Sequence, residues 1–312
     1  RKLPSITPLI EAPLKLAWLT SVRDIGRADQ NGRMVDYKGR PHYMMGLIEA
    51  INTIINKQRM GLEHIMQIVG IITDDTLRDK TYPYPTKPTP GQPWIHPLSA
   101  KNNQEELLTA NTVNIPSNFR FELNKKRQKD QHREFEERIY EESQQMEADI
   151  LVSDHFMVKI IHLIKAHRYG IGKVLNIHPG ISDPLDLQRL PGSTPTQDAL
   201  DSVRYGAIFK KSKGIYVPTI PRYRTGASLH IMNRGLDEGP VIADSRDTVV
   251  LANDTHQELR ARNYPVKIAV FIAGMMHYIT SILENIKNLD FNEEAQENRT
   301  TTRVRINRRS LL

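Results

Sequence analysis

Cysteine is missing from all 312 residues. The chain therefore builds neither disulfides nor thiolate metal sites, and it has no cysteine nucleophile. Long apolar runs are missing too. None approaches the roughly 20 residues that a membrane-spanning helix needs, so no membrane insertion is expected. The opening RKLPSITPLIEAPLK lacks the apolar centre of a secretion signal, and two of its prolines flank its longest apolar piece. These absences leave a cytoplasmic protein as the expectation. Acidic residues are absent from one stretch, RTTTRVRINRRSLL at the end, which carries five arginines; without those five the net charge of +7 falls to +2. The basic excess is thus local to a solvated tail, which argues against nucleic acid as a partner.

What is present suits a globular domain. Hydrophobic residues make up 39% and charged residues 25%, ordinary values for a folded core under a polar surface. After an N-terminal extension (1–13), LKLAWLTS reads as a first buried strand. A long polar loop follows, then MGLIEAINTIINKQ with helical spacing and HIMQIVGIITDD as a second strand. Residues from about 79 to 118 are crowded with Pro, Tyr, Asn and Thr and read as a surface insertion. ELNKKRQKDQHREFEERIYEESQQMEA reads as a charged helix with a solvated face. The strand ADILVSDHFM, the helix VKIIHLIKAHRYG and the strand KVLNIHPG come next. FKKSKGIYVPTIPRYR reads as a polar connector, GASLHIM as a strand, and the segment after DTHQEL as one or two closing helices. The alternation predicts an α/β fold, a Rossmann-like, twisted and mostly parallel sheet with large loop insertions. One domain spans 14–286, and 287–312 form a polar, basic tail.

The chemistry concentrates at two places. Asn176 and His178 end the strand KVLNIHPG two residues apart, hence on one face. Open parallel sheets present their functional residues at such carboxyl ends. Asp237 sits in the tight turn GLDEGP. An amide, an imidazole and a carboxylate together can polarise a carbonyl and move a proton. Taken alone, Asn-x-His at a strand end is commonly a loop cap, and Asp between glycines is commonly turn chemistry. Their order along the chain makes the difference.

LNIHPG, LPGSTPTQDAL, GASLHIM and GLDEGPVI, in this order, resemble the N10-formyltetrahydrofolate-dependent formyltransferases. The resemblance runs from Ala148 to about Ile279 and implies the formyltransferase type of sheet, with N10-formyltetrahydrofolate as formyl donor. It implies that Asn176 donates its amide hydrogens to the formyl oxygen and that His178 stabilises the oxyanion. Asp237 would keep that histidine charged and assist proton transfer. Met157, Val158 and Ile160 match positions shaping the folate pocket; His230, Gly235 and Leu236 are placed with the cofactor as supporting residues. A buried structural histidine remains open for His230, and ordinary core for the pocket positions. No metal is implied, because the histidines are scattered without ligand spacing.

Departures from the family pattern narrow the acceptor. The compact Gly-Ser-Asn loop with which glycinamide ribonucleotide transformylases hold a phosphate is replaced by SVRDIGRADQNGRMVDYKGRPHYMMG. The stretch from His178 to Asp237, about sixty residues, is longer than in the small family members. Both departures resemble the hydroxyornithine transformylases of pyoverdine siderophore synthesis, which formylate the side-chain hydroxylamine of N5-hydroxyornithine. That small-molecule acceptor carries a carboxylate, for which Arg23 and Arg40 are the candidates. Alternatives are another amine, such as an amino-sugar nucleotide or glycinamide ribonucleotide, and hydrolysis of the formyl donor. The tRNA-dependent members are disfavoured because only the short tail follows Ile286.

Overall fold

The computed structural model describes residues 12–21, 27–28, 34–35, 51, 62–74, 111–156, 158–165, 172–192, 194–210, 214–233 and 237–282. Arg23, Arg40, Met157, Gly235 and Leu236 lie outside the described residues, as do most of the predicted helix 45–58, most of the proline-rich insertion and the tail.

Strand β1 (Leu14–Thr20) is an interior strand of a seven-stranded sheet. The short strands β2 (Arg27–Ala28) and β3 (Met34–Val35) pair with each other. β4 (Met66–Thr73) and β5 (Asn111–Asn114) extend the main sheet on one side of β1, both in parallel register. The chain then returns to the other side of β1 through β6 (Ile150–Ser153) and β7 (Val174–His178), also parallel. The strand order therefore reverses between β1 and β6, the place where such sheets leave a crevice. The hairpin of β8 (Ala207–Lys210) and β9 (Ile215–Pro218) lies outside this sheet. β10 (Arg224–Ile231) joins it antiparallel to β7, and β11 (Val241–Val249) closes that edge antiparallel to β10.

Both sheet faces are covered, which is why β1 shows no polar alternation. Leu14, Leu16 and Trp18 join the core that includes Phe271 and Met275, from helix α4 (His256–His277), and the Trp18 and Phe271 rings lie 5.2 Å apart. Ala17 and Leu19 join the second core, with Phe135 and Ile139 of helix α1 (Lys125–Gln145). α1 is thus not only the solvated face expected from its charge. Phe135, Ile139 and Ser143 recur every four residues and bury one narrow stripe. Asn124 caps the helix by accepting from the N–H groups of Lys126 and Arg127.

The same stripe carries a buried carboxylate. Glu136 accepts from the N–H groups of Ile161 (3.0 Å), His162 (2.6 Å) and Leu163 (2.9 Å). These are unpaired donors in the first turn of α2 (Ile161–Lys165). His132 Nε2 lies 2.7 Å from the Lys159 carbonyl and 3.1 Å from Glu136. One face of α1 thereby fixes the turn after β6, where Val158 and Ile160 are packed.

Two segments differ from their sequence reading. Asn111–Asn114, placed in the surface insertion, is the edge strand β5; its four polar-rich residues carry no readable period. FKKSKGIYVPTIPRYR contributes the β8–β9 hairpin rather than a bare connector. Ile208 packs it against Leu200 of α3 (Pro195–Tyr205), with Val250 and Leu259. Helix α4 (His256–His277) closes the fold from a Thr255–Glu258 capping box and continues as a π-turn, Tyr278–Ile282. Its Lys267, buried, pairs with buried Asp154 just past β6. Among the described residues no helix is long and apolar enough to cross a membrane.

Replacing Glu136 by alanine leaves three helix-start N–H groups without their acceptor, and is expected to cost about 2–4 kcal/mol. Glutamine, which keeps one acceptor oxygen, is expected to cost roughly half as much. Urea denaturation of the two variants checks the order; equal and negligible losses would remove the capping role.

Candidate active site

Strand pairing explains why the polar residues meet. In the β7–β10 register His230 stands opposite Asn176, and Ser228 opposite His178. Directly opposed side chains share a face and touch. Asn176 Nδ2 is 3.1 Å from His230 Nε2 and 3.1 Å from Asp237 Oδ1. Asp237 reaches this pair from the turn between β10 and β11. Its φ of 50° lies in the left-handed region, uncommon for a residue with a side chain. Gly239 permits the tight return: a Cβ there would stand 1.6 Å from the Ile231 carbonyl oxygen.

Asp237 is the hub of the cluster. Its Oδ2 accepts from the Gly192 N–H at 2.8 Å. Its Oδ1 lies 3.4 Å from His230 Nε2 and 3.6 Å from His178 Nδ1. Burial would raise its pKa, but the His230 hydrogen bond, the His178 charge and the Gly192 N–H outweigh burial and hold it at about 2. With its Nδ1–H on the Ile231 carbonyl (3.2 Å), His230 can accept from Asn176 when neutral and donate to Asp237 when charged.

His178 is held from its other side. Its Nε2 donates to the Leu190 carbonyl at 2.7 Å. Burial pushes its pKa below 6.5, while Asp237 and the Leu190 carbonyl pull upward without reversing the shift. The directions at His178 and Asp237 belong to different pH ranges. In acid the protonated imidazole holds the carboxylate; near neutrality burial leaves the ring uncharged.

The loop that supplies Leu190 is itself pinned. Buried Arg222 donates from Nε to the Gln188 carbonyl (2.9 Å) and from Nη2 to that of Arg189 (3.3 Å). Ser228 Oγ donates to the Gly180 carbonyl and accepts from the Ser182 N–H, both at 3.0 Å. Neither residue was singled out from the sequence. Arg222 lies in the stretch read as a polar connector, and only its Pro-Arg context distinguishes it from surface arginines.

A cavity of about 590 Å³ opens at the carboxyl ends of β6 and β7, large enough for a drug-sized ligand. Asn176, His178, His230 and Asp237 form its polar end. Phe156, Val158, Ile160 and Ile164 supply an apolar wall. His256 and Arg260, from the first turns of α4, also line it. Of the residues expected at the site, Asn176, His178, Asp237, His230, Val158 and Ile160 therefore share one cavity. Elsewhere, ligand atoms of His132, Glu136 and His162 lie within 4.8 Å of one another, a composition able to hold a metal. There the Glu136 oxygens already cap α2, and His132 faces the Lys159 carbonyl.

The His178 shift has a stability consequence. Its folded pKa lies below 6.5, so as pH falls through 6.5 the unfolded chain takes up a proton that the folded chain refuses, and stability falls with it. His178→Gln removes this contribution. Between pH 7.5 and 5 the variant should lose less stability than the parent, by up to about 2 kcal/mol. Urea midpoints at the two pH values measure the difference; parallel losses would contradict a depressed pKa.

The structure of PvdF of pyoverdin biosynthesis, an N10-formyltetrahydrofolate-dependent formyltransferase, is similar at 26% identity and a TM-score of 0.65, covering 85% of this chain and 99% of that one. The phosphoribosylglycinamide formyltransferase of Bacillus halodurans shares the fold at 15% identity and a TM-score of 0.50, covering 87% and 98%. A search of curated proteins finds no match. The formyl transferase family model matches residues 95–273, more than half of the chain and all four residues of the polar cluster. The match bears out the resemblance carried by the sequence motifs, and the chain belongs to the formyl transferase family.

Proposed function

We propose that this protein transfers the formyl group of N10-formyltetrahydrofolate to the side-chain hydroxylamine nitrogen of N5-hydroxyornithine, as a cytoplasmic enzyme. The observation that carries the reading is the meeting of Asn176, His178 and Asp237 at the polar end of a cavity with an apolar wall. The donor's ring system lies along Phe156, Val158 and Ile160, and its formyl group reaches the polar end.

Asn176 turns an amide hydrogen from Asp237 to the formyl oxygen. The acceptor nitrogen attacks the formyl carbon, forming the new C–N bond and placing negative charge on that oxygen. Asn176 stabilises the charge by hydrogen bonding, and His178 does so in its protonated form, which the developing charge favours over the neutral ring of the resting site. The proton lost by the attacking nitrogen passes through the Asp237 carboxylate to N10 of the donor as the C–N10 bond breaks. Tetrahydrofolate and an N-formyl hydroxylamine leave. A hydroxylamine nitrogen is weakly basic and carries its lone pair free near neutral pH, so no strong base is required. Similarity to a formyltransferase of pyoverdin biosynthesis along nearly its whole length supports this acceptor class, as does the replaced loop after β1.

Tetrahydrofolate release from 10-formyltetrahydrofolate, followed with and without N5-hydroxyornithine, tests the reading. Release that requires the hydroxylamine, and exceeds that with ornithine or glycinamide ribonucleotide, is the expected result. Release without an acceptor would instead identify a hydrolase. Asn176→Ala should lower kcat by about 10²–10³-fold while donor affinity changes little, as for the loss of one oxyanion donor. An equal loss of donor binding would assign Asn176 to recognition instead.

A further inference from the structure

Helix α4 turns one stripe toward the cavity. His256 and Arg260 line it, as does His155, which stands 3.3 Å from Lys267 on the same helix. Positions 256, 260 and 267 fall within about 40° of one another around a helix of 3.6 residues per turn. The cationic groups on this stripe are not equivalent. Lys267 is matched by Asp154. Arg260 is half-buried, and among the described residues no hydrogen bond or ion pair engages it.

The neighbouring acids are committed elsewhere. Asp254 takes Arg262 in a two-pronged pair, with Nη1 at 2.7 Å and Nη2 at 2.6 Å. Glu258 accepts from the Thr255 N–H at 2.7 Å, closing the helix cap. On the cavity wall, Asp237 is held by Asn176 and Gly192. A partly desolvated guanidinium facing the reaction cavity, with no acidic partner, is a ready carboxylate receptor. The helix start behind it adds positive potential.

We propose that Arg260 binds the carboxylate of the acceptor and so restricts the enzyme to amino-acid substrates; this rests on the formyl-transfer reading above. The donor also carries carboxylates on its glutamyl end. For that end the cavity offers a separate cation, exposed Lys159 on the segment after β6. Arg260 comes from α4 instead. It thus takes the role for which Arg23 and Arg40 were the sequence candidates.

The test compares kcat/KM for N5-hydroxyornithine with that for its decarboxylated analogue, N-hydroxyputrescine, in the parent, Arg260→Gln and Arg260→Lys. The parent should prefer the carboxylate-bearing acceptor by about tenfold to a hundredfold, the worth of one charged hydrogen-bonded pair. Arg260→Gln should bring the ratio toward one, and Arg260→Lys should retain part of it. A ratio unaltered in Arg260→Gln overturns the assignment. So does a collapse confined to the donor, seen as lost preference for 10-formyltetrahydrofolate over its pteroate analogue lacking glutamate. Calorimetric binding of ornithine and putrescine in the presence of tetrahydrofolate gives a readout independent of turnover. Should the parent formylate neither acceptor yet prefer ornithine in an Arg260-dependent way, the function reading fails and the carboxylate site stands. No preference in the parent overturns the site as well.

Discussion

A carboxylate kept charged in a largely buried place is the constraint around which this site is built. Asp237 is 7% exposed, and burial by itself would favour its neutral form. Four groups from three parts of the chain reverse that tendency: an amide from β7, a backbone N–H from the loop before α3, the His230 imidazole of β10 and, when protonated, the His178 imidazole of β7. Each owes its position to something structural. The β7–β10 register sets Asn176 against His230, the left-handed turn swings Asp237 back over them, and Gly239 lets that turn close. Loss of any one leaves a buried charge under-compensated, which is a larger penalty than the loss of a surface contact.

The remainder of the cavity is supported from behind rather than from within. Glu136 and His132 never line it, yet they fix the turn on which Val158 and Ile160 ride. Arg222 likewise acts at one remove, holding the two carbonyls before Leu190 while Leu190 holds His178. Helices and loops on both sides thus determine how far apart the apolar wall and the polar end stand. A ligand spanning the two would register small shifts in either support.

The sequence was most informative where the physics is local. Buried parallel strands read as unbroken apolar runs, so β1, β6 and β7 were visible at once. The two-residue period of a strand put Asn176 and His178 on one face without any tertiary information. Legibility failed where meaning came from distant partners. β5 is four residues long and is a strand only because β4 offers it an edge. Glu136 looks like one acid among many on α1, since the helix it caps begins 25 residues later. Arg222 and Arg260 resemble surface arginines until the carbonyls around one, and the lack of a partner for the other among the described residues, are seen. The narrow stripe of Phe135 and Ile139 was masked by the charged residues between them.

The distances along the chain between interacting groups carry a consequence for how the site comes into being. Asn176 and Asp237 are 61 residues apart, and Asp154 and Lys267 are 113 apart. Such contacts repay their loop-closure entropy late, after the parallel sheet has assembled. During synthesis Asp154 emerges well before the helix that carries Lys267, so the partner of this buried acid arrives late. Docking of α4 therefore completes both the core behind Trp18 and the charge balance beside the cavity in a single step. A ribosome-bound chain lacking that helix would hold Asn176 and His178 without the part of the cavity wall that His256 and Arg260 supply.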